Sequence, residues 1–201
     1  MNDVNLCERC EKPGVGVLFA GQGSQKSGMG KDLYEAFPEF KEVFDLLPQR
    51  QKDIAFEGPE DALKDTVNAQ PVLLAFGVGV YRILESRGLK PDFAAGLSLG
   101  EYSALTAAGV FTDKEALDLI SFRAERMARA SEGTDTVMSA VLGLERDVIR
   151  SICAEAGKAG KVEAANYNCP GQIVISGNEA GVSEAEDRKS TRLNSSHQPL
   201  S

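Results

Sequence analysis

One serine stands in a setting that favours nucleophilic chemistry. Gly96, Leu97, Ser98, Leu99 and Gly100 form the pattern Gly-x-Ser-x-Gly between a short apolar stretch and a helical one. A sharp strand-to-helix turn of this kind exposes the serine hydroxyl at a sheet edge, and the helix amino terminus favours developing negative charge. The sequence therefore predicts Ser98 as the nucleophile of an acyl-transfer or hydrolytic reaction. The alternative is a glycine-rich turn with an incidental serine.

A second glycine-rich loop, Gly-Gln-Gly-Ser-Gln at residues 21–25, follows the first apolar stretch of the chain. In an open α/β sheet this places the loop at the carboxyl edge, where sites form. A glycine-flanked residue such as Gln22 can turn its backbone N–H into the site as an oxyanion donor. A plain turn or a phosphate-binding loop is the alternative, but the loop lacks the lysine of a P-loop, which argues against nucleotide binding.

A cation could complete the site. The helix predicted over residues 113–130 carries Arg123, Arg126 and Arg129. Its predicted buried face holds Leu117, Ile120, Ala124 and Met127. Arg123 falls on the flank of that face, whereas the other two arginines point away from it. Arg123 is thus the one placed to reach inward, and a snorkelling arginine at the edge of the core is the alternative.

Strands and helices alternate through the elements that must position these residues. We expect strands over 15–20 and 92–96, helices over 31–47 and 70–87, a helix ending near Gly109 and another over 113–130. Pro38 predicts a break in the helix over 31–47, and Gly88 predicts the end of the helix over 70–87. Thr112 and Glu115 predict a capping box at the start of the helix over 113–130. The apolar set expected on one face of helix 70–87 is Val72, Leu73, Phe76, Val80, Ile83 and Leu84. The first strand should be buried. The alternation predicts an α/β architecture with a parallel sheet.

The order of predicted strands and helices changes after residue 135. Strands are expected over 136–143, 161–166 and 172–176, and helices over 145–156 and from 179 to 187. This β-α-β-β-α order is that of a ferredoxin-like unit without its last strand. We therefore divide the chain into a disordered leader (1–13), a large subdomain (14–133), a partial small subdomain (134–187) and a tail (188–201).

Charge, apolar runs and cysteine spacing argue against several classes of partner, location and site. The net charge is −8, without a Lys/Arg-rich block, so nucleic acid is not an expected partner. We expect no membrane span, because no apolar run appears long enough, and no signal peptide, which makes the cytoplasm the default location. Cys7 and Cys10 could be half of a zinc or redox site, but two reduced thiols in a leader are favoured, and no metal site is expected.

These motifs, taken in order, resemble the malonyl-CoA:acyl carrier protein transacylase family. The resemblance covers residues 15–187 and rests on segments at 21–25, 70–71, 96–105, 122–123 and 165–172. It implies an α/β-hydrolase-like parallel-sheet subdomain with an inserted, incomplete ferredoxin-like subdomain. It also implies malonyl transfer in bacterial fatty-acid synthesis, with malonyl-CoA and acyl carrier protein as partners, no cofactor and a monomeric full-length protein.

The resemblance also implies a role for each site residue. Ser98 would form a malonyl ester, and the backbone N–H groups of Leu99 and Gln22 would form the oxyanion hole. Arg123 would pair with the free carboxylate of malonate, because a guanidinium fork offers it two parallel hydrogen bonds. The substrate pocket would further include Gln70 and Asn166.

The catalytic base is the part that we expect to be missing. The family activates its serine with a histidine beyond the small subdomain's last strand, and the one histidine here is His197. The tail 188–201 is rich in Ser, Asn, Arg and Lys and resembles translated vector sequence, so we interpret His197 as coincidental. We expect the 201-residue chain to be inactive. The alternatives for the family are a serine hydrolase or thioesterase of the α/β-hydrolase class and an acyltransferase domain of a polyketide synthase.

Overall fold

The computed structural model describes residues 14–133 and 135–195. The chain divides into two compact units, Met1–Ala130 and Ser131–Ser201, where the sequence predicted a boundary between 133 and 134. The predicted leader with its two cysteines lies outside the described residues, as does His197.

The first unit alternates strands and helices around a parallel pair of strands. Its elements are β1 (Gly16–Phe19), α1 (Lys31–Ala36), α2 (Pro38–Phe44), α3 (Gln49–Glu57), α4 (Glu60–Lys64), α5 (Thr66–Ser86), β2 (Phe93–Gly96), α6 (Leu99–Ala107) and α7 (Asp113–Ser131). β1 and β2 pair in parallel, in the register that aligns Phe19 with Gly96. Both strands therefore end at the same edge, immediately before the two glycine-rich loops. The parallel α/β architecture is as predicted.

The prediction that β1 is buried is wrong for one of its faces. Leu18 is 80% exposed and Phe93 on β2 is 58% exposed. Side chains alternate between the two faces of a strand, and only one face is covered here. On that face Phe19 packs edge-on against Tyr81 of α5, with ring centroids 6.3 Å apart.

The helical prediction for 31–47 divides at Pro38, as expected. α1 ends at Ala36, and α2 begins at Pro38, a position where the missing N–H costs no hydrogen bond. Phe40 and Phe44 of α2 stack with centroids 4.8 Å apart and are fully buried. α3 and α4 were not predicted.

Helix α5 is the centre of the first unit's core and begins earlier than the predicted residue 70. Pro71 lies inside it and cannot donate to Val67, but Gln51 of α3 donates its Nε2 to that carbonyl oxygen at 3.0 Å. The helix can therefore continue through the proline. It ends as predicted, with Gly88 at a positive φ of 91°.

The burial of α5 differs from the single apolar face that was expected. Buried residues surround most of the helix, among them Leu74, Ala75 and Val78, whereas the expected Leu84 is 43% exposed. The helix has the length and hydropathy of a candidate membrane span, contrary to the expectation that no such run exists. Since 67% of that apolar window is buried inside the fold, it has the character of a core helix.

The capping box before α7 is present as predicted. The Thr112 backbone N–H donates to Glu115 Oε2 at 2.8 Å, and the Glu115 N–H donates to Thr112 Oγ1 at 3.2 Å. The Thr112 backbone N–H and the Thr112 hydroxyl both donate to Glu115 Oε2, and these two bonds hold the pKa of Glu115 below its usual value. Ile120 and Ala124 are buried, but Met127, predicted on the same face, is 46% exposed.

The second unit contains one antiparallel sheet and two helices. Its elements are β3 (Thr136–Leu142), α8 (Arg146–Ala156), β4 (Val162–Cys169), β5 (Gln172–Asn178) and α9 (Glu179–Ser195). The strand order is β3-β5-β4, with both pairings antiparallel. Buried aliphatic side chains, including Ile149, Ile152 and Ile175, join the helices to the sheet.

Helix α9 continues beyond the predicted end at residue 187. It extends to Ser195, within the segment that the sequence set aside as a tail. Arg188 anchors this continuation, because its guanidinium donates to Glu184 at 2.7 Å and to Glu155 of α8 at 2.8 Å.

Candidate active site

Ser98 occupies a strained turn between β2 and α6. Its φ of 56° and ψ of −110° make it the one non-glycine residue with a positive φ in residues 14–133 and 135–195. A backbone held in so sparsely populated a region costs about 1–3 kcal/mol and is commonly found where geometry serves chemistry. The Ser98 side chain is exposed and makes no capping hydrogen bond to α6. Its hydroxyl is therefore presented outward, as a nucleophile requires.

The two glycines of the pattern allow strand and helix to meet closely. A Cβ on Gly96 would lie 2.0 Å from the backbone carbon and oxygen of Gly100. A Cβ on Gly100 would lie 2.4 Å from the carbonyl oxygen of Phe19 at the end of β1. Both positions exclude any side chain, because the obstructing atoms belong to the backbone. The turn thus depends on glycine at each place where the sequence pattern has it.

The loop that carries Gln22 lies against the serine turn. A Cβ on Gly21 would be 2.9 Å from the carbonyl oxygen of Leu97, so the two backbones touch. Two internal hydrogen bonds fix the loop: the Gly23 N–H donates to Gln25 Oε1 at 2.8 Å, and Ser24 Oγ donates to the Gly21 carbonyl at 3.1 Å. The predicted neighbourhood of the two loops is therefore present.

Arg123 reaches the serine from α7. Its Nη2 donates to Ser98 Oγ at 3.0 Å, and its Nη1 donates to Gln70 Oε1. The guanidinium carbon lies 5.9 Å from the centre of the Tyr102 ring. Arg126 and Arg129 of the same helix are exposed. Of the three arginines, the one that the helical periodicity selected is brought to the nucleophile.

Gln70 is fully buried and links Arg123 to a residue that the sequence analysis missed. Its Nε2 donates to Thr66 Oγ1 at 2.8 Å and to the Met127 sulfur at 3.4 Å. Thr66 in turn donates to Gln22 Oε1 at 3.1 Å. The one sequence signal for Thr66 is its i, i+4 spacing to Gln70 on α5. Whether Gln70 also lines a substrate pocket stays a prediction.

Ser98 thus contacts a cation and directly precedes the first N–H group of α6. Leu99 is the first residue of α6, and the opening N–H groups of a helix have no intrahelical partner. An N–H next to Ser98 could therefore stabilise an oxyanion, while Arg123 could bind a carboxylate. The arrangement suits attack of Ser98 on a carbonyl whose substituent ends in an anion.

Asn166 belongs to the second unit. It is exposed on β4, opposite Val174 of β5, and follows the irregularity in register after Ala164. Its predicted place in a substrate pocket stays a prediction. Among the described residues, no cluster of three or more His, Cys, Asp or Glu side chains is placed to hold a metal ion.

A cavity of about 480 Å³ is lined mainly by β1 and α5. Its lining is largely apolar and includes Phe19, Phe76 and Tyr81. Ser98, Arg123 and Gln22 are not among the residues that line it, so we do not assign this cavity to the site.

Known proteins resemble the chain over most of its length. Residues 17–194 match the family model described as an acyl transferase domain. A malonyl CoA-acyl carrier protein transacylase of Bacillus subtilis is 42% identical over 178 residues, which are 86% of this chain and 56% of the relative. A relative with the same description from Haemophilus influenzae is 40% identical over 176 residues, which are 84% of this chain and 56% of the relative.

Solved structures agree with these relatives. An acyl-carrier-protein S-malonyltransferase from Bartonella henselae superposes with a TM-score of 0.83 at 41% identity, over 90% of this chain and 60% of that one. A malonyl-transacylase in complex with a type II polyketide synthase acyl-carrier protein gives a TM-score of 0.81 at 36% identity, with the same coverage. The chain therefore spans between 56% and 60% of the length of these relatives.

Proposed function

The chain belongs to the acyl transferase domain family, and from this premise we propose that it provides the nucleophile and the acyl-binding groups for malonyl transfer from malonyl-CoA to acyl carrier protein. The observation that carries the proposal is the 3.0 Å contact between Arg123 Nη2 and Ser98 Oγ. A nucleophile with a guanidinium beside it is suited to an acyl group that itself ends in a carboxylate.

The reaction would proceed in two halves through an ester of Ser98. Ser98 Oγ attacks the thioester carbonyl of malonyl-CoA, coenzyme A leaves as its thiol after taking up the serine proton through a base, and malonyl-serine remains. The phosphopantetheine thiol of acyl carrier protein then attacks that ester. Its proton returns to Ser98, and the malonyl thioester of the carrier protein is released. No cofactor enters either half.

Arg123 would select the dicarboxylic acyl group. A guanidinium offers five N–H donors in a rigid fork, so it can keep its bond to Gln70 through Nη1 while Nη2 turns to a carboxylate. In the structure, Nη2 donates to Ser98 Oγ. A malonyl carboxylate would displace this contact and leave the serine oxygen available for attack.

The backbone N–H groups of Leu99 and Gln22 would hold the oxyanion. Leu99 follows Ser98 directly, and the Gln22 loop touches the serine turn through Gly21. Losing one such donor in other enzymes costs about 10²–10³ in kcat, which gives the scale of what this pair would contribute.

The finer features of the protein belong to the same proposal. We infer an α/β-hydrolase-like first unit and a ferredoxin-like second unit, for which the strand order β3-β5-β4 is the supporting observation. Asn166 would contribute to the substrate pocket. We also infer a cytoplasmic protein that acts as a monomer in its full-length form, with acyl carrier protein as its macromolecular partner.

Partition between transfer and hydrolysis tests the proposal against a serine hydrolase or thioesterase. We would extend the chain after residue 187 with the remaining segment of the Bacillus subtilis relative and supply labelled malonyl-CoA with carrier protein. The expected product is malonyl-carrier protein, and its formation should stop in Ser98→Ala. Free malonate as the main product, at the same rate with or without carrier protein, would identify a hydrolase instead.

A further inference from the structure

Thr66 connects the two halves of the candidate site through a single hydroxyl. Its Oγ1 accepts a hydrogen bond from Gln70 Nε2 at 2.8 Å and donates one to Gln22 Oε1 at 3.1 Å. Gln70 also accepts from Arg123. A continuous path of hydrogen bonds thus leads from the guanidinium on α7, across the first two turns of α5, to the loop after β1.

The bonds along this path all run in one direction, from Arg123 through Gln70 and Thr66 to Gln22. Arginine can only donate, so the Gln70 oxygen must face it and the Gln70 amide nitrogen must face Thr66. The Thr66 hydroxyl accepts from the Gln70 amide and donates its own proton to Gln22 Oε1. Bonds aligned in this way polarise one another, so a charge change at one end is felt at the other.

Neighbouring residues hold Thr66 in place. It is the first residue of α5, and Asp65 before it caps the helix by accepting from the Val67 N–H at 3.3 Å. Gln70, one turn later, is fully buried. The hydroxyl therefore has a rigid support on the Gln70 side and a loop residue on the other.

We propose that Thr66 is a positioning residue that couples the occupancy of Arg123 by a carboxylate to the placement of the Gln22 loop. This inference rests on the proposed function, since it takes Arg123 as the carboxylate site and the Gln22 N–H as an oxyanion donor. An acyl group that satisfies Arg123 tightens the path through Gln70 and Thr66 and holds the loop at the distance that the reacting carbonyl needs. An acyl group without the carboxylate does not hold the loop at this distance.

Backbone amide shifts in the 201-residue chain, ¹⁵N-labelled and titrated with malonate or with neutral acetamide, test the coupling without requiring turnover. In the unmodified chain, malonate should shift the amides of both Leu99 and Gln22, and acetamide, which has no carboxylate, should shift neither to the same extent. Thr66→Val, which keeps the shape and removes the hydroxyl, should retain the Leu99 shift and reduce the Gln22 shift to the size seen with acetamide. Thr66→Ser should restore the Gln22 shift.

A second threonine provides the matched control. Thr106 is fully buried, and its hydroxyl donates to the Tyr102 carbonyl of its own helix at 2.7 Å. Thr106→Val removes a comparable hydroxyl outside the path and should leave both malonate responses in place. If Thr66→Val does not fold, Thr66→Ala is compared with Thr66→Ser by the same criterion.

Two results would overturn the inference, and they are distinguishable. A Gln22 shift of equal size in the hydroxyl-free Thr66 variant and in the unmodified chain would show that the loop responds by another route. Absence of any malonate-specific shift at Leu99 in the unmodified chain would instead remove the carboxylate site itself, and with it the proposed function.

Discussion

Replacing Gly96 by alanine should destabilise the first unit, because the added methyl group meets backbone atoms that cannot turn away. The ideal Cβ would lie 2.0 Å from the carbon and oxygen of Gly100 and 2.5 Å from the Glu101 nitrogen. Ordinary contacts between carbon atoms are about 3.5–4.0 Å, so β2 and α6 must separate. That separation would also displace Ser98, which lies in the turn between them.

The size of the effect follows from two opposing contributions. Overpacking a rigid site costs about 1–3 kcal/mol, and the upper end applies where backbone is the obstacle. Alanine also lowers the conformational entropy of the unfolded chain, which stabilises the folded state by about 0.4–1 kcal/mol. The net loss for Gly96→Ala is therefore about 2 kcal/mol, which lowers Tm by roughly 4–10 °C for a unit of this size.

Thermal unfolding followed by calorimetry and circular dichroism measures this loss, with Gly157→Ala as the control. Gly157 ends α8 at φ −57° and ψ −13°, and its Cβ would have its nearest neighbours at 3.3 and 3.4 Å. Alanine fits that conformation, so Tm should stay within about 2 °C of the unmodified chain. An equally small change in Gly96→Ala would refute the argument that strand and helix are held at this close approach.

Three further predictions concern the cation, the tail and the cysteines. In the extended protein, Arg123→Ala should reduce the preference for malonyl over acetyl transfer at least tenfold, since a charged hydrogen bond contributes about 1.5–3 kcal/mol; equal loss for both acyl groups would make Arg123 structural. Residues 1–201 alone should transfer essentially no malonyl group in the same assay, whereas turnover comparable with that of the extended protein, lost in His197→Ala, would identify His197 as the base. Iodoacetamide should modify exposed Cys169 well before Cys153, because burial raises the pKa of the Cys153 thiol; mass spectrometry of the two peptides decides, and equal rates would contradict the burial of Cys153.

The second unit shows where sequence periodicity suffices. Each of its strands and helices was predicted with its type and approximate position. In α8 the buried residues are Ile149, Ile152, Cys153 and Ala156, the spacing of one helical face. Such a face is visible in the sequence because a small sheet covers only one side of the helix. The exception is the end of α9, where polar residues continue a helix that no apolar pattern marks.

The first unit shows where periodicity fails. α3 (Gln49–Glu57) and α4 (Glu60–Lys64) are short, and α3 buries only Ile54 and Ala55, so neither has a face that a pattern could reveal. A helix start signal was available in Pro48, which directly precedes α3. The long helix α5 was found but misjudged, because a helix buried on most sides has no single apolar stripe.

In the candidate site, too, some features could be predicted from the sequence and others could not. The Gly-x-Ser-x-Gly pattern predicted the turn at Ser98, and the helical phase of α7 selected Arg123, because both are local properties of the chain. The contacts of Gln70 and Thr66 depend on how α5 packs against α7 and the loop after β1. Partners such as Gln70 and Arg123, 53 residues apart, have no local signature that would announce their contact.

Mass spectrometry of the acyl-enzyme shows whether Ser98 is the nucleophile. The extended protein would be exposed briefly to malonyl-CoA, quenched in acid and digested, and the peptides would be sequenced for an added malonyl group. We expect the adduct on the peptide that contains Ser98, at the hydroxyl of that residue, and none in Ser98→Ala. An adduct on Ser24, on Ser103 or on a cysteine, with Ser98 unmodified, would contradict it.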